Sequence, residues 1–255
     1  MFKFLLIILF ISASTEIRAQ DSLDSIARVK ASIPLDEIEL MVKLSGGNIN
    51  NFKNSYSSKV EKLAKTGNAA AQNHLGECYL LGNGIAKNNQ EAFYWISKSA
   101  EQNNIRALHN LGYCYEHGIG TDIDLFQAYS YYKISALKGN DKAFNDLAQC
   151  YLNGIGTTVD SLKARAWFEK GAEVGIRASQ NNAGYLYIAI EGKEDYNKAF
   201  YWFSKAAEQD SPNALEFLGI CYDNGWGVEK DPLKAQEYYK KAYRLGNRDA
   251  KERIK

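Results

Sequence analysis

The chain predicts an all-α fold, a solenoid of stacked helix-turn-helix repeats, and three observations carry that expectation. A unit of about 36 residues recurs five times, with copies starting at 71, 107, 143, 179 and 214 and a sixth opening at 250. Periods of this length mean stacked supersecondary units in place of a single globular core. Within each copy, apolar residues recur at helical spacing in two segments. Between those segments, four of the five copies carry a Gly-x-Gly break followed by an Asn or Asp that suits a helix start.

Residues 1–19, MFKFLLIILFISASTEIRA, stand apart from the repeats. Lys3 precedes an apolar run from Phe4 to Ile11, and Ile17-Arg18-Ala19 ends in a small residue. This is the charged start, short apolar core and cleavage site of a secretory signal cut after Ala19. The run is shorter than the roughly 20 residues needed to span a bilayer. The expectation is therefore an exported chain, periplasmic or secreted, with no integral membrane segment once processed. Without residues 1–19 the net charge falls from +1 to 0, because Lys3, Arg18 and Glu16 leave together. A neutral, mixed surface argues against nucleic acid, whose binding needs clustered Lys and Arg.

Residues 20–51 read as an N-terminal lead or capping segment, with 35–45 able to supply a first helix. Residues 52–70 read as the second helix of a degenerate repeat, since Val60, Leu63, Ala64 and Gly67 fall in the slots of Ile96, Ser99, Ala100 and Asn103. Residues 71–255 hold the five full repeats and a short C-terminal cap. In the first copy, Ala71, Leu75, Cys78 and Tyr79 predict a helix over about 70–82. Gly82 and Gly84 then break it, and Gly118-Ile119-Gly120, Gly154-Ile155-Gly156 and Gly225-Trp226-Gly227 repeat the break. Asn88, Asp124, Asp160, Asp195 and Asp231 share the N-cap slot of the second helix, and Pro232 suits its first position. That helix carries Trp95, Tyr131, Trp167, Trp202 and Tyr238 in one slot, with small pairs such as Ser99-Ala100 and Ala206-Ala207 beyond it. These aromatics are expected to fill the core against the small residues. Copy four lacks the Gly-x-Gly, has Ala183 for leucine and is one residue short, so an irregular connection is expected from Ile188 to Glu194.

Cys78, Cys114, Cys150 and Cys221 occupy one slot on the first helix. Stacked helices put such slots roughly 9–10 Å apart, beyond the ~7 Å Cα limit for a disulfide. No disulfide is expected, and the four read as small buried residues. No pair has a local metal-ligand spacing, so no metal and no cofactor are expected.

The series A-x-x-x-L-G-x-C-Y, G-x-G, the Asp cap and A-x-x-W-F/Y-x-K-A-A resembles the Sel-one-like repeat family, a relative of the tetratricopeptide repeat, closely over 71–249 and loosely over 52–70. The resemblance implies a right-handed α-solenoid acting as an adaptor in protein complexes. It also implies that the first helices line a concave inner face. The slots two before and two after Leu75 then point inward: Asn73, His109, Asn145, Asn181 and Glu216, and Glu77, Tyr113, Gln149, Tyr185 and Ile220. Amide side chains pair with an extended peptide's donors and acceptors, and tyrosine adds contact area at low entropic cost. The expected partner is thus a protein or peptide. Trp226, between two glycines, is a second candidate anchor, either exposed or folded back onto its own repeat.

Catalytic patterns are weak. His74, His109 and His117 lack H-E-x-x-H spacing, and no G-x-S-x-G turn occurs. Ser130 with Lys133, Ser135 with Lys138, and Lys65-Thr66-Gly67 spell the S-x-x-K and K-T-G of penicillin-recognising enzymes. Both serines fall inside a packing helix, and the K-T-G falls at a helix end. The chain reads as non-catalytic. A self-associating spacer is the other reading the sequence leaves open.

Overall fold

The computed structural model describes residues 58–190 and 194–254. Eleven α-helices and one 3-10 helix lie among them, with no strand. The helices are α1 (Ser58–Lys65), α2 (Ala69–Leu81), α3 (Asn89–Glu101), α4 (Ile105–His117), α5 (Leu125–Leu137), α6 (Asp141–Asn153), α7 (Ser161–Glu173), α8 (Arg177–Ala189), α9 (Tyr196–Ala207), α10 (Pro212–Asn224) and α11 (Pro232–Arg244), followed by the 3-10 helix Asp249–Arg253. The signal and lead segments, and residues 191–193 of the irregular fourth connection, lie outside the described residues. α1 falls within the 52–70 segment.

Two compact units share these elements: residues 58–143 with 155–158, and residues 144–154 with 159–254. Sequential helices pack together in each, from α1 to α5 in the first and from α7 to the 3-10 helix in the second. In the first, Val60 and Ala64 of α1 meet Ala71 and Leu75 of α2, and Ile96 and Ala100 of α3 meet Leu108, Leu111 and Cys114 of α4. In the second, Leu215, Ala242 and Ala250 close the C-terminal end.

Caps set the boundaries. The side chains of Asn88, Asp124, Asp160, Asp195 and Asp231 each accept from first-turn amides of their helix. Asn68, Asn104 and Ser211 do the same for first helices. Each second helix ends in a left-handed residue: Gly67, Asn103, Gly139, Gly175, Asp210 or Gly246. Gly82, Gly118 and Gly225 end first helices at φ 65–74°.

The second glycine of the break does something the sequence does not show. A Cβ on Gly120 would lie 2.1 Å from the Asn89 carbonyl oxygen, on Gly156 1.9 Å from that of Leu125, and on Gly227 2.2 Å from that of Tyr196. These glycines seat one repeat's loop against the start of the preceding repeat's second helix.

The aromatic ladder needs a correction. Trp95, Tyr131, Trp167 and Tyr238 are only partly buried, and Trp202 alone of that slot is buried. The side chain that enters the hairpin is the next one: Ile96, Tyr132, Phe168, Phe203 and Tyr239, each no more than 2 % exposed. It lies against the Leu-Gly glycine of the first helix, where a Cβ on Gly76, Gly112, Gly184 or Gly219 would come within 2.4–2.8 Å of it. The ladder residues instead bind the hairpin's tyrosine to the repeat before. Phe93, Tyr115 and Tyr131 form one such triplet, with centroids 5.5 and 5.8 Å apart, and Phe200, Tyr222 and Tyr238 form another at 5.7 and 5.5 Å.

Candidate functional site

The first-helix face differs from copy to copy, and its contacts run one junction at a time. At the junction of α2 and α4, Asn73 is buried and donates from Nδ2 to Glu77 Oε1 at 3.0 Å. Asn110 of the next repeat donates to Asn73 Oδ1 at 2.9 Å and to the same Glu77 oxygen at 2.8 Å. An amide–carboxylate relay thus joins the two helices. His109 lies tilted over the Tyr132 ring, and Tyr113, 39 % exposed, stacks on His117 at 4.2 Å. Tyr132 donates its hydroxyl to Glu116 at 2.8 Å.

In the second unit, Ser179 donates to Asn145 Oδ1 at 3.4 Å, and Gln149 accepts from Asn153 at 2.9 Å. Asn181 donates to Ser211 Oγ at 2.7 Å, while its carbonyl oxygen is buried without a partner. The slot that holds the donor Asn110 at the first junction holds Phe217 here, packed edge-on to Tyr185 at 6.0 Å and stacked on Phe203 at 4.7 Å. Tyr185 is buried, and burial pushes its phenol above the ordinary tyrosine range. At the end of the array Glu216, 9 % exposed, accepts from Arg253 Nε and Asn247 Nδ2, both at 2.9 Å. Arg253 stands three residues after Ala250, the register of Asn110 after Ala107, so the 3-10 helix supplies the donor that the next first helix supplies at the first junction.

The structure therefore sorts the expected site residues. Asn73, Tyr185 and Glu216 are buried, and Asn73 and Glu216 hold neighbouring repeats together. Glu77, His109, Asn145, Gln149 and Asn181 are half-buried, and Tyr113 is exposed. Trp226 is half-buried, neither free nor folded onto its own repeat: it stacks on Tyr196 of the preceding one, at 5.0 Å. A glutamine clamp went unread in the sequence. Gln72 donates to the Ala64 carbonyl and accepts from Gln102, and Gln180 with Ala172 and Gln209 repeats this 108 residues on. The signal was there, in glutamine recurring one residue after the start of copies one and four.

All four thiols are free and buried. Burial pushes Cys78 up to about 11 and Cys114 and Cys221 up to about 12, so these three are not poised as nucleophiles. Ser135 donates to the Ile105 carbonyl at 2.8 Å and Lys65 pairs with Glu61 at 2.6 Å, so both act in packing and surface pairing. Among the described residues no group of three His, Cys, Asp or Glu is placed to hold a metal, and no helix is long and apolar enough to cross a membrane. An open depression of about 870 Å³ lies between residues 87–90 and 118–122, lined mainly by capping and turn residues.

Comparison with known proteins agrees with this construction. The pattern of the Sel1 repeat matches at residues 69–104, 105–140, 143–176, 177–211 and 212–247. Four of these matches start two residues before the copies read from the sequence, at the observed first-helix N-termini, and the third starts with its copy at 143. The chain is similar to the crystal structure of a protective antigen of uropathogenic Escherichia coli displaying an SLR fold, with 31% identity and TM-score 0.72 over 76% of this chain and 42% of that one. It is also similar to a Sel1 repeat protein from Oxalobacter formigenes, with 30% identity and TM-score 0.70 over 77% and 83%. Among curated proteins, DAP3-binding cell death enhancer 1 of Rattus norvegicus is 33% identical over 86 residues, 34% of this chain and 17% of that protein. The ERAD-associated E3 ubiquitin-protein ligase component HRD3B of Arabidopsis thaliana is 40% identical over 57 residues, 22% and 9% respectively. The matches thus span less than a fifth of those curated relatives.

Proposed function

The chain belongs to the Sel1 repeat family, whose members generally mediate protein–protein interaction without catalysis, and from that premise we propose that it is an exported adaptor binding a protein or peptide on its first-helix face. One observation carries the reading: a fixed packing frame presents side chains of changing chemistry. Glu77, Tyr113, Gln149, Tyr185 and Ile220 share one slot, above leucines and cysteines that scarcely vary. The accessible members, Tyr113, Gln149, His109 and Asn145, are the contact residues in this reading, with Glu77 and Asn181 at the rim. Asn73, Tyr185 and Glu216 shape the face from beneath. The charged start and short apolar run of residues 1–19 support export.

The test places a photo-crosslinking residue at Tyr113 or Gln149, and in separate chains at the outward Lys98 or Lys170. The inward positions are expected to give one shared protein adduct that the outward positions lack. Adducts from outward positions alone would overturn the concave-face reading.

A further inference from the structure

Two last-turn slots on the outward side of the second helices are charged in every full repeat but one. In α3, α7, α9 and α11, one last-turn slot is lysine: Lys98, Lys170, Lys205 and Lys241. The slot three residues on is Glu101, Glu173, Glu208 or Arg244. Lys98 and Lys205 pair with their glutamates at 3.3 and 3.1 Å. In α5 the same two slots hold Ile134 and Leu137, and both are exposed, at 41 % and 66 %. Phe126, in the first turn, and Ile123, just before the Asp124 cap, are each 65 % exposed. Phe126, Ile134 and Leu137, with the half-buried Ser130 between them, form a stripe at helical spacing on the side of α5 opposite Ala128, Tyr132 and Ser135, and Ile123 adds to the exposed apolar surface beyond the N-terminal end of the helix. Roughly 500 Å² of apolar side chain stands in water here, as much as the largest patch on an ordinary monomer. Lys133 is the one charged residue of the helix.

The spacing of the stripe identifies its occupant. On the helix Phe126, Ser130 and Ile134 lie at −4, 0 and +4, so this part of the pattern reads the same in both directions, with Leu137 at its end and the exposed Ile123 just before its cap. A second α5 laid antiparallel about a two-fold axis at Ser130 sets each Phe126 against the other copy's Ile134 and brings each Leu137 to the end of the partner helix that Ile123 precedes. The smallest side chain falls at the axis, where two helices must approach most closely. Self-complementarity of this kind is what an isologous interface requires. Two such stripes would bury on the order of 1,000 Å², and flanking residues bring the contact near the lower end of specific interfaces, about 1,200 Å². We propose that α5 is a self-association surface and that two copies of this chain pair through it, with a dissociation constant in the roughly micromolar range.

The experiment is sedimentation equilibrium of the purified protein across about 1–100 µM, beside two variants. I134K/L137E installs the Lys and Glu that α3, α7 and α9 carry in these slots, so its helical CD signal and melting temperature should match the parent. The parent is expected to reach the mass of two chains, and the variant to stay at one, with roughly 100-fold weaker association from the charges it would bury. Ser130→Cys is independent of that result. Facing positions on helices 8–10 Å apart lie within disulfide range, so mild oxidation should crosslink it. Ala166→Cys, the same outward slot of α7, should not crosslink, and the native thiols are all buried. A parent that stays one chain at ~100 µM, a dimer that survives I134K/L137E, or equal crosslinking of the two cysteine variants would each overturn the proposal. If I134K/L137E lost its fold, the Ser130→Cys and Ala166→Cys pair would still decide.

Discussion

The junction between the first two repeats and the junction between the last two share a register and are held by different chemistry. In the first, Asn73, Glu77 and Asn110 satisfy one another in a closed polar relay. In the second, the same slots hold Asn181, Tyr185 and Phe217, so aromatic packing replaces the relay and the Asn181 carbonyl oxygen is left unpaired. Beneath both lie the same glycine contact and the same aromatic triplet. The frame that stacks repeats is thus separable from the side chains above it, which is what allows an array to change its surface without changing its fold.

The largest test of that separation falls on the shared glycines. Gly120→Ala and Gly227→Ala should each cost about 3 kcal/mol or more in urea unfolding, since a methyl group would sit on a backbone carbonyl at a positive φ. A loss at only one junction would show that the frame is not common to both. Next, Phe217→Ala should cost about 2–3 kcal/mol through lost packing on Phe203 and Tyr185. Asn110→Ala, in the equivalent slot, should cost about 1–2 kcal/mol by leaving buried Asn73 and half-buried Glu77 short of a donor.

The asparagines themselves separate the junctions further. Asn73→Ala should destabilise by roughly 1–3 kcal/mol, whereas Asn181→Ala should cost under about 1 kcal/mol, because an unpaired acceptor disappears with it. Equal losses would refute the contrast. The smallest effect is one of pH. Burial pushes His74, in the register of Phe217, below the ordinary histidine range. The unfolded chain then takes up the proton first. Stability should be level above the unfolded value of about 6.5 and decline as pH falls beneath it. His74→Asn should flatten the urea midpoint between pH 7.5 and 5.5, and an unchanged slope would assign the decline elsewhere.

Much of this frame could be read from residue order. The Asp caps and the left-handed helix ends depend on local geometry, which a residue type at a fixed spacing reports. The aromatic slot was misread by one residue. Trp95 and Ile96 are equally plausible core residues until the glycine opposite is known to be Gly76, a partner twenty residues away. The inner face was legible as a set of slots and illegible as chemistry. Asn73 and Asn181 look alike in sequence, and only Asn110 or Phe217, one repeat further on, decides which is paired.

By itself, then, the sequence determined the period, the two helices of each repeat, their caps and their breaks, because each rests on contacts within a few residues. Tertiary structure alone decided which side chain fills each hairpin, which glycine touches a neighbouring backbone and which polar groups are spent between repeats. Those depend on distances across some 16–37 positions, where residue order specifies who is present and packing decides who meets.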